Sequence, residues 1–268
     1  MLYLYILISS YLVPETAWIR HFMRFNSKVF FPTEWSEAES LRPLLNHVAD
    51  IPKIPEYFRR PLHGFIDGGV CREQALQQSF SMRYIMGMFQ CDPLYREISF
   101  SNIMSSLTVP EDDIAIDIGC GSGDSTKALS ENLPNNPVIG VDLSRSMTKL
   151  AKRRTKLTYI TADAALLPLK NNSAGIVTAF ALFHEMPKSY SKKVMKEVLR
   201  VVKPNGYFLI WDQNPELITP QTSSSIPIEP FLDSYKSMNM SEELNHIGFE
   251  NLDIITDKFM RAWICKKK

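Results

Sequence analysis

The sequence predicts an α/β protein, with a three-layer, Rossmann-like sheet of seven mostly parallel strands, an antiparallel last strand and a helical N-terminal extension. From Ile114 onward, short apolar runs alternate with helical stretches, which is the pattern of βαβ units on a parallel sheet. A glycine-rich loop follows the first run, and two apolar runs close the chain as a hairpin would. Residues 1–110 lack this alternation and are punctuated by prolines.

Composition is that of a globular protein. The chain has 268 residues, 45% of them hydrophobic and 22% charged, enough for one large domain with an extension. We therefore predict a helical cap over residues 1–110 and a core over residues 111–268. The net charge of +1 provides no general attraction for a polyanion, so nucleic acid is not an expected partner.

The first thirteen residues carry no charged side chain. This run is shorter than the roughly 20 apolar residues of a membrane-spanning helix. It also lacks the basic start and small-residue cleavage site of a signal peptide. We expect a buried helix of the N-terminal cap in a cytoplasmic protein, with peripheral membrane contact or a targeting role as the alternative.

The elements of the core follow in order. Strand one covers 114–118, and a helix begins at about Asp124. Further strands are predicted over 138–141, 157–161, 175–182 and 206–211. The stretch 193–202 has a helical apolar face, and the sequence Lys203-Pro-Asn-Gly206 stops that helix and turns the chain.

The C-terminal part reads as one helix and a hairpin. Ser241 is expected to cap the helix and Gly248 to end it. The hairpin strands are predicted over 252–256 and 259–265. Before the helix, the segment 214–240 is rich in Pro, Ser and Thr and is long for a plain connection, so we predict a lid-like insert there.

The glycine-rich loop carries the strongest chemical signal. Strand one runs into Gly119-Cys120-Gly121-Ser122-Gly123, where missing Cβ atoms allow a sharp turn and a close ligand. A dinucleotide fingerprint would need its third glycine at position 124, which is Asp. An Asp at the helix N-terminus also repels a pyrophosphate. The loop therefore favours a ligand without phosphates, such as S-adenosylmethionine, with Asp117 near its methionyl amine.

Two further acids follow the next two predicted strands. Asp142 can accept hydrogen bonds from both ribose hydroxyls of an adenosine, with Leu143 beside the adenine. Asp163 can accept from the adenine amino group. Because ligands of open α/β sheets bind at the carboxyl ends of the strands, all three acids are expected at one site.

These motifs resemble the class I, Rossmann-like S-adenosylmethionine-dependent methyltransferases of the small-molecule type. The resemblance covers roughly residues 95–268 and rests on segments 117–123, 141–142, 163–168 and 199–206. It implies that the glycine loop holds the methionyl part, the acid after strand two the ribose and the acid after strand three the adenine. Asn205 stands where the family commonly has Gly, and Asn also tolerates a positive φ. The expected cofactor-contacting residues are Asp117, Gly119, Cys120, Gly121, Gly123, Asp142, Leu143, Met147, Asp163, Ala164 and Phe180.

The end of the fourth strand should face the transferred methyl group. It carries His184 and Glu185, and a His of ordinary pKa suits proton acceptance from a hydroxyl or an acidic carbon. Glu185 would orient His184 or cap the next helix. The alternative is that His184 only fixes the turn. No zinc-ligand spacing is present, so no metal is expected.

Three functions remain open on sequence alone. The favoured one is methyl transfer from S-adenosylmethionine to a small, partly apolar acceptor, with oxygen or carbon as the accepting atom. The missing Asn-Pro-Pro-Tyr-type sequence after strand four argues against amino-group methylation of nucleobases or glutamine. An NAD-type oxidoreductase would suit Asp142 but not Asp124. A catalytically inactive, cofactor-binding scaffold is the third, because one fold hosts many functions. The acceptor and the oligomeric state are not encoded in any motif.

Overall fold

The computed structural model describes residue 55 and residues 100–217, 231–256 and 260–268. Within them, seven strands form one sheet in the order β3-β2-β1-β4-β5-β7-β6. The strands are β1 (Ile114–Ile118), β2 (Val138–Asp142), β3 (Thr158–Thr161), β4 (Ala174–Phe180), β5 (Val202–Gln213), β6 (Phe249–Thr256) and β7 (Met260–Lys267).

Strand directions confirm the predicted fold class. The first five strands pair in parallel, and β7 lies antiparallel between β5 and β6. The strand order reverses beside β1, between β1 and β4, and such a switch point opens a crevice at the carboxyl edge of an α/β sheet. The predicted N-terminal helical cap over residues 1–110 lies almost entirely outside the described residues.

Helices cover both faces of the sheet. They are α1 (Phe100–Ser105), α2 (Asp124–Asn132), α3 (Arg145–Thr155), α4 (Lys188–Val201), α5 (Leu232–Lys236) and α6 (Met240–Ile247), with 3-10 turns at Phe183–Glu185 and Pro215–Leu217. Side chains of β1 alternate between two buried clusters, Ile116 and Ile118 in one and Ala115 in the other. This period of two is that of a strand covered on both faces.

Two local expectations need correction. The helix after β4 begins at Lys188, five residues earlier than predicted, and the chain enters β5 directly after Val201, so the Pro-Asn-Gly turn lies within β5. Asn205 there has a φ of 65°, as expected for an Asn in place of Gly. At α6, the cap is Asn239, whose side chain accepts from the Glu242 N–H, and not Ser241.

The segment 214–240 is only partly described, and residues 218–230 lie outside the described ranges. Its last part, residues 231–240, packs into the protein, because Leu232, Tyr235, Met238 and Met240 belong to the larger buried cluster. A lid role therefore remains a prediction for the part before residue 231. Among the described residues, no helix is both long and apolar enough to cross a membrane.

Candidate active site

Backbone hydrogen bonds join the predicted ligand-binding segments at the carboxyl edge of the sheet. The Gly119 and Cys120 N–H groups donate to the Val141 carbonyl over 2.8 and 3.1 Å, and the Ala162 N–H donates to the Asp142 carbonyl over 3.0 Å. The glycine loop, the end of β2 and the end of β3 therefore form one continuous surface. This is the edge at which the sequence placed the three acids.

The three glycines of the loop differ in what occupies the space of their missing side chains. Gly121 has a φ of +49°, and a Cβ built on it would meet no atom within 4 Å, so its backbone faces open space. Gly123 has a φ of +90°, and its Cβ would lie 2.5 Å from the Tyr159 hydroxyl and 2.9 Å from the Ala151 Cβ. A Cβ on Gly119 would press on the Leu182 side chain at 2.7 Å. Gly121 is thus the glycine that leaves room for a ligand, while Gly119 and Gly123 leave room for protein.

Asp117 lies at the end of β1 and is fully buried. Its carboxylate accepts hydrogen bonds from three hydroxyls, those of Ser125 and Thr126 over 2.7 Å and that of Thr178 over 3.0 Å. Burial raises the pKa of Asp117 to about 6, against the effect of these three donors. The residue ties the start of α2 to β1 and β4, and its effect on a bound amine would be that of a nearby buried charge.

Cys120 within the glycine loop and Met147 within α3 are both buried, with exposures of 3% and 4%. Burial raises the pKa of the Cys120 thiol well above its usual value. The Met147 N–H donates to the Ser144 hydroxyl that caps α3. Both side chains therefore support the ligand-binding segments from within the protein and are not exposed at the surface of the site.

Asp142 ends β2 and is only partly buried. One of its oxygens accepts from the Gly121 N–H and the other from the Ser144 N–H, both over 2.8 Å. Burial raises the pKa of Asp142, and these two N–H donors oppose that effect. Since a carboxylate has about four acceptor positions, roughly two are left for a ligand. Leu143, also partly buried, follows directly.

Asp163 lies after β3, with Ala164 partly buried next to it. One Asp163 oxygen accepts from the Ala165 N–H over 2.8 Å, and the other accepts a short hydrogen bond from the Tyr190 hydroxyl on α4. Burial and then this carboxylate raise the pKa of Tyr190. Sequence reasoning missed Tyr190, because 27 residues separate it from its partner.

The end of β4 lies beside the glycine loop, where Leu182 packs against Gly119. Phe180 is partly buried and packs edge-on against Trp211 of β5 at 5.4 Å between ring centroids. Ala181 has a φ of 50°, a left-handed conformation that costs a non-glycine residue about 1–2 kcal/mol. Its N–H is held by the Trp211 carbonyl over 2.7 Å. The neighbouring strand therefore fixes this turn.

His184 is buried, with 4% exposure, and Asp212 of β5 is fully buried beside it. The His184 Nδ1 lies 2.6 Å from an Asp212 oxygen, and its Nε2 lies 3.5 Å from a Glu185 oxygen. Burial alone would lower the pKa of His184, but Asp212 and then Glu185 outweigh it and raise the pKa to about 10. An imidazole with a raised pKa between two carboxylates holds its proton at neutral pH, which favours the alternative that His184 only fixes the turn over proton acceptance.

Asp212 is the second residue that sequence reasoning missed. Besides His184, it accepts from the Phe183 N–H and from the Gln213 N–H, both over 2.7 Å. It therefore anchors the 3-10 turn after β4 to β5. The sequence signal was an isolated acid inside an apolar strand, which is costly to bury without partners.

The charge of Asp124 is compensated in the structure. Arg154 of α3 donates to both of its oxygens over 2.8 and 3.0 Å and to the Ser122 carbonyl over 2.9 Å. Repulsion of a pyrophosphate by Asp124 is therefore weaker than the sequence suggested. The stronger reason against a phosphate-bearing ligand is the set of acids at the ends of β1, β2 and β3, because their negative charges favour a cationic ligand at this edge and disfavour an anionic one. Among the described residues, no group of three or more His, Cys, Asp or Glu could hold a metal ion.

The part of the chain that builds this site is similar to known proteins. A family described as "methyltransferase domain" matches residues 115–206, from β1 to the turn within β5. A solved S-adenosylmethionine-dependent methyltransferase from Methanosarcina mazei shares the fold, with a TM-score of 0.51 and 20% identity over 63% of this chain and 98% of that one.

Curated relatives match over a similar stretch. The demethylmenaquinone methyltransferase of Staphylococcus carnosus is 34% identical over 109 residues, which is 39% of this chain and 44% of that protein. The malonyl-[acyl-carrier protein] O-methyltransferase of a Marinomonas species is 29% identical over 117 residues, or 42% and 43% of the two chains. The chain thus spans less than half the length of these relatives.

Proposed function

We propose that this chain, whose core is a class I, Rossmann-like S-adenosylmethionine-dependent methyltransferase domain, transfers the methyl group of that donor to a small molecule. The observation that carries the proposal is the carboxyl edge of the sheet. There the Gly121 backbone faces open space, and the partly exposed carboxylates of Asp142 and Asp163 follow the next two strands.

The residues at this edge fit S-adenosylmethionine. Asp142 keeps acceptor capacity for two ribose hydroxyls, and Asp163 does so for an adenine amino group. Leu143, Ala164 and Phe180 offer apolar surface to the adenosine, while the glycine loop takes the methionyl end. When bound, the donor supplies an electrophilic methyl group on a sulfonium. Buried Asp117 adds negative charge near the position of its amine.

The acceptor is proposed to be small and partly apolar, methylated on oxygen or carbon. Apolar side chains around the end of β4, among them Phe180 and Leu182, support an apolar acceptor. The names of two relatives, a demethylmenaquinone methyltransferase and a malonyl-[acyl-carrier protein] O-methyltransferase, support an acceptor that is not a nucleic acid. The N-terminal residues and the segment before residue 231 are proposed to wall off its pocket. We also propose a cytoplasmic location, with contact between residues 1–13 and a membrane surface as the alternative role of that apolar run.

Two measurements test the proposal. Isothermal titration should show saturable binding of S-adenosylmethionine and no saturable binding of reduced nicotinamide dinucleotide. Saturation by the dinucleotide alone would replace the proposal with an oxidoreductase. Mass spectrometry of an extract supplied with protein and donor should then find a metabolite that has gained one methyl group. Binding without any methylated product would favour an inactive, cofactor-binding scaffold.

A further inference from the structure

The connection from β3 to β4 is built differently from the other crossovers between parallel strands. A helix links β1 to β2, β2 to β3 and β4 to β5, but residues 162–173, all of which the structure describes, contain neither helix nor strand. We call these residues the adenine loop, because Asp163 within them is assigned to the adenine amino group. A segment without regular structure must satisfy its backbone groups with other partners, and several of the partners here lie on α4.

Glu197 and Arg200, near the C-terminal end of α4, hold the middle of the adenine loop. The Leu167 N–H donates to a Glu197 oxygen over 2.7 Å. The Arg200 guanidinium donates to the Leu167 carbonyl over 3.1 Å and to the Leu169 carbonyl over 2.8 Å. It also donates to both Glu197 oxygens, over 2.6 and 2.9 Å, and these hydrogen bonds lower the pKa of Glu197. The two side chains therefore form one charged clamp on the loop backbone, which we call the α4 clamp.

Local hydrogen bonds connect the clamped part of the loop to Asp163. The Ala165 N–H donates to an Asp163 side-chain oxygen over 2.8 Å, and the Leu166 N–H donates to the Asp163 carbonyl over 2.9 Å. Leu167 follows directly, and its side chain is buried in the larger cluster to which α4 also contributes. A shift of the Leu167 backbone would therefore move the turn that orients the Asp163 carboxylate.

Tyr190 holds the Asp163 carboxylate from the same helix. Its hydroxyl donates to the Asp163 oxygen that the Ala165 N–H does not contact. Tyr190 precedes Glu197 by seven residues, or about two helical turns, so both side chains project from one face of α4. Because the protein supplies the donors at both of its oxygens, Asp163 offers a ligand acceptor positions only. Such a group matches the amino group of adenine and repels the carbonyl oxygen that replaces it in hypoxanthine.

We propose that Glu197 and Arg200 are positioning residues for the methyl donor, which hold the adenine loop against α4 so that Asp163 is aimed at the adenine amino group. They act through the loop backbone and are assigned no contact with the ligand. The inference rests on the proposed function, and it makes α4 the element that sets the base selectivity of the donor site.

Two ligands that differ only at the amino group test the α4 clamp. S-inosylhomocysteine carries a carbonyl oxygen where S-adenosylhomocysteine, the product of the donor, carries the adenine amino group. In isothermal titration the wild-type protein should prefer the adenine form by roughly 10- to 150-fold, the worth of a hydrogen bond to a charged group. Arg200→Gln should reduce this preference by roughly 2- to 10-fold, because a less well-oriented Asp163 loses part of that bond.

Two further variants separate positioning from a general loss of structure. Arg200→Lys keeps the charge, but an ammonium lacks the planar fork that joins two carbonyls and Glu197 at once, so it should recover only part of the preference. Lys192→Gln is the matched control on the same helix, because Lys192 pairs with Glu243 of α6 over 2.8 Å and not with the adenine loop. It should bind both ligands as the wild type does. Urea denaturation shows which variants are folded at the titration temperature, and the milder Arg200→Lys keeps the test available if Arg200→Gln does not fold.

A second measurement needs no ligand. In amide hydrogen exchange of the ligand-free protein, the N–H groups of Leu167 and Ala165 should exchange faster in both Arg200 variants than in the wild type. In Lys192→Gln they should exchange at the wild-type rate. Unchanged exchange at both N–H groups in a folded Arg200→Gln protein overturns the inference.

The titrations have distinct outcomes for the two proposals. A wild-type preference for the adenine form that persists undiminished in the folded Arg200 variants overturns the role of the clamp. An equal loss of affinity for both ligands also overturns it, since that result shows damage to the whole site. Equal affinities of the wild type for the two ligands overturn the inference as well. Failure of the wild type to bind S-adenosylmethionine or either of these ligands counts against the proposed function instead.

Discussion

Replacing Gly121 with Ala should weaken S-adenosylmethionine binding and leave the fold nearly intact, whereas Gly123→Ala should damage the fold. Both residues have positive φ, so each Ala costs about 1–2 kcal/mol in backbone energy. The new methyl group at Gly121 meets no protein atom within 4 Å, but at Gly123 it would lie 2.5 Å from the Tyr159 hydroxyl. Overpacking of that kind costs a further ~1–3 kcal/mol, giving a total near 2–5 kcal/mol.

Urea denaturation and isothermal titration together measure this difference. Gly121→Ala should lose about 1–2 kcal/mol of unfolding free energy. Its methyl group would intrude on the ligand and raise the Kd of S-adenosylmethionine by roughly 10- to 100-fold, which equals a loss of about 1.4–2.8 kcal/mol. If Gly121→Ala binds the donor as tightly as the wild type, the cofactor does not approach the loop at the open position, and the reading of the site is wrong.

Two further predictions follow from the buried contacts. Asp212→Asn should cost about 3–5 kcal/mol of unfolding free energy at pH 7, because it removes the nearer of the two carboxylates that face the buried His184 imidazole. Folding raises the pKa of His184 from 6.5 to about 10. The protonated imidazole therefore contributes its full stabilisation to the wild-type fold below pH 6.5, and this stabilisation is lost as the pH rises through 10. Urea denaturation at pH 6, 8 and 10 measures the decline, and a wild-type stability that does not fall over this range would contradict it. Tyr190→Phe should weaken donor binding several-fold, since Asp163 loses a hydrogen bond of about 0.5–1.5 kcal/mol that orients it. Tyr207→Phe, at a partly buried tyrosine that pairs with Ile176 away from the carboxyl edge of the sheet, is its control, and equal calorimetric affinities for the two variants would refute that role.

Sequence alone predicted the parts of the fold that local patterns encode. The apolar run 114–118 coincides with β1, and a helix begins at Asp124 as expected, because strand hydrophobicity and glycine punctuation act over a few residues. The N-cap of α6 was misassigned since Asn239 and Ser241 are both good capping residues. Only the geometry shows which of them the N–H groups reach.

The remaining features of the site depend on contacts between residues that are far apart in the sequence. The pairing of Phe180 with Trp211 across β4 and β5 brings Asp212 to His184, 28 residues away in sequence. The register between β4 and β5 cannot be predicted from the spacing of residues along the sequence. Similarly, the sequence could not tell that Gly123 makes room for Tyr159 rather than for a ligand, because a glycine's spacing does not say which neighbour fills the space of its missing side chain.

The most direct test of the account is calorimetric titration of the wild-type protein and Asp142→Ala with S-adenosylmethionine. Asp142 accepts from the Gly121 N–H and is assigned the ribose hydroxyls, so its loss should cost about 1.5–3 kcal/mol, roughly 10- to 150-fold in Kd. We predict saturable binding by the wild type and that loss in the variant. No binding by the wild-type protein, or equal affinity in Asp142→Ala, would contradict the claim that this edge of the sheet is the methyl-donor site.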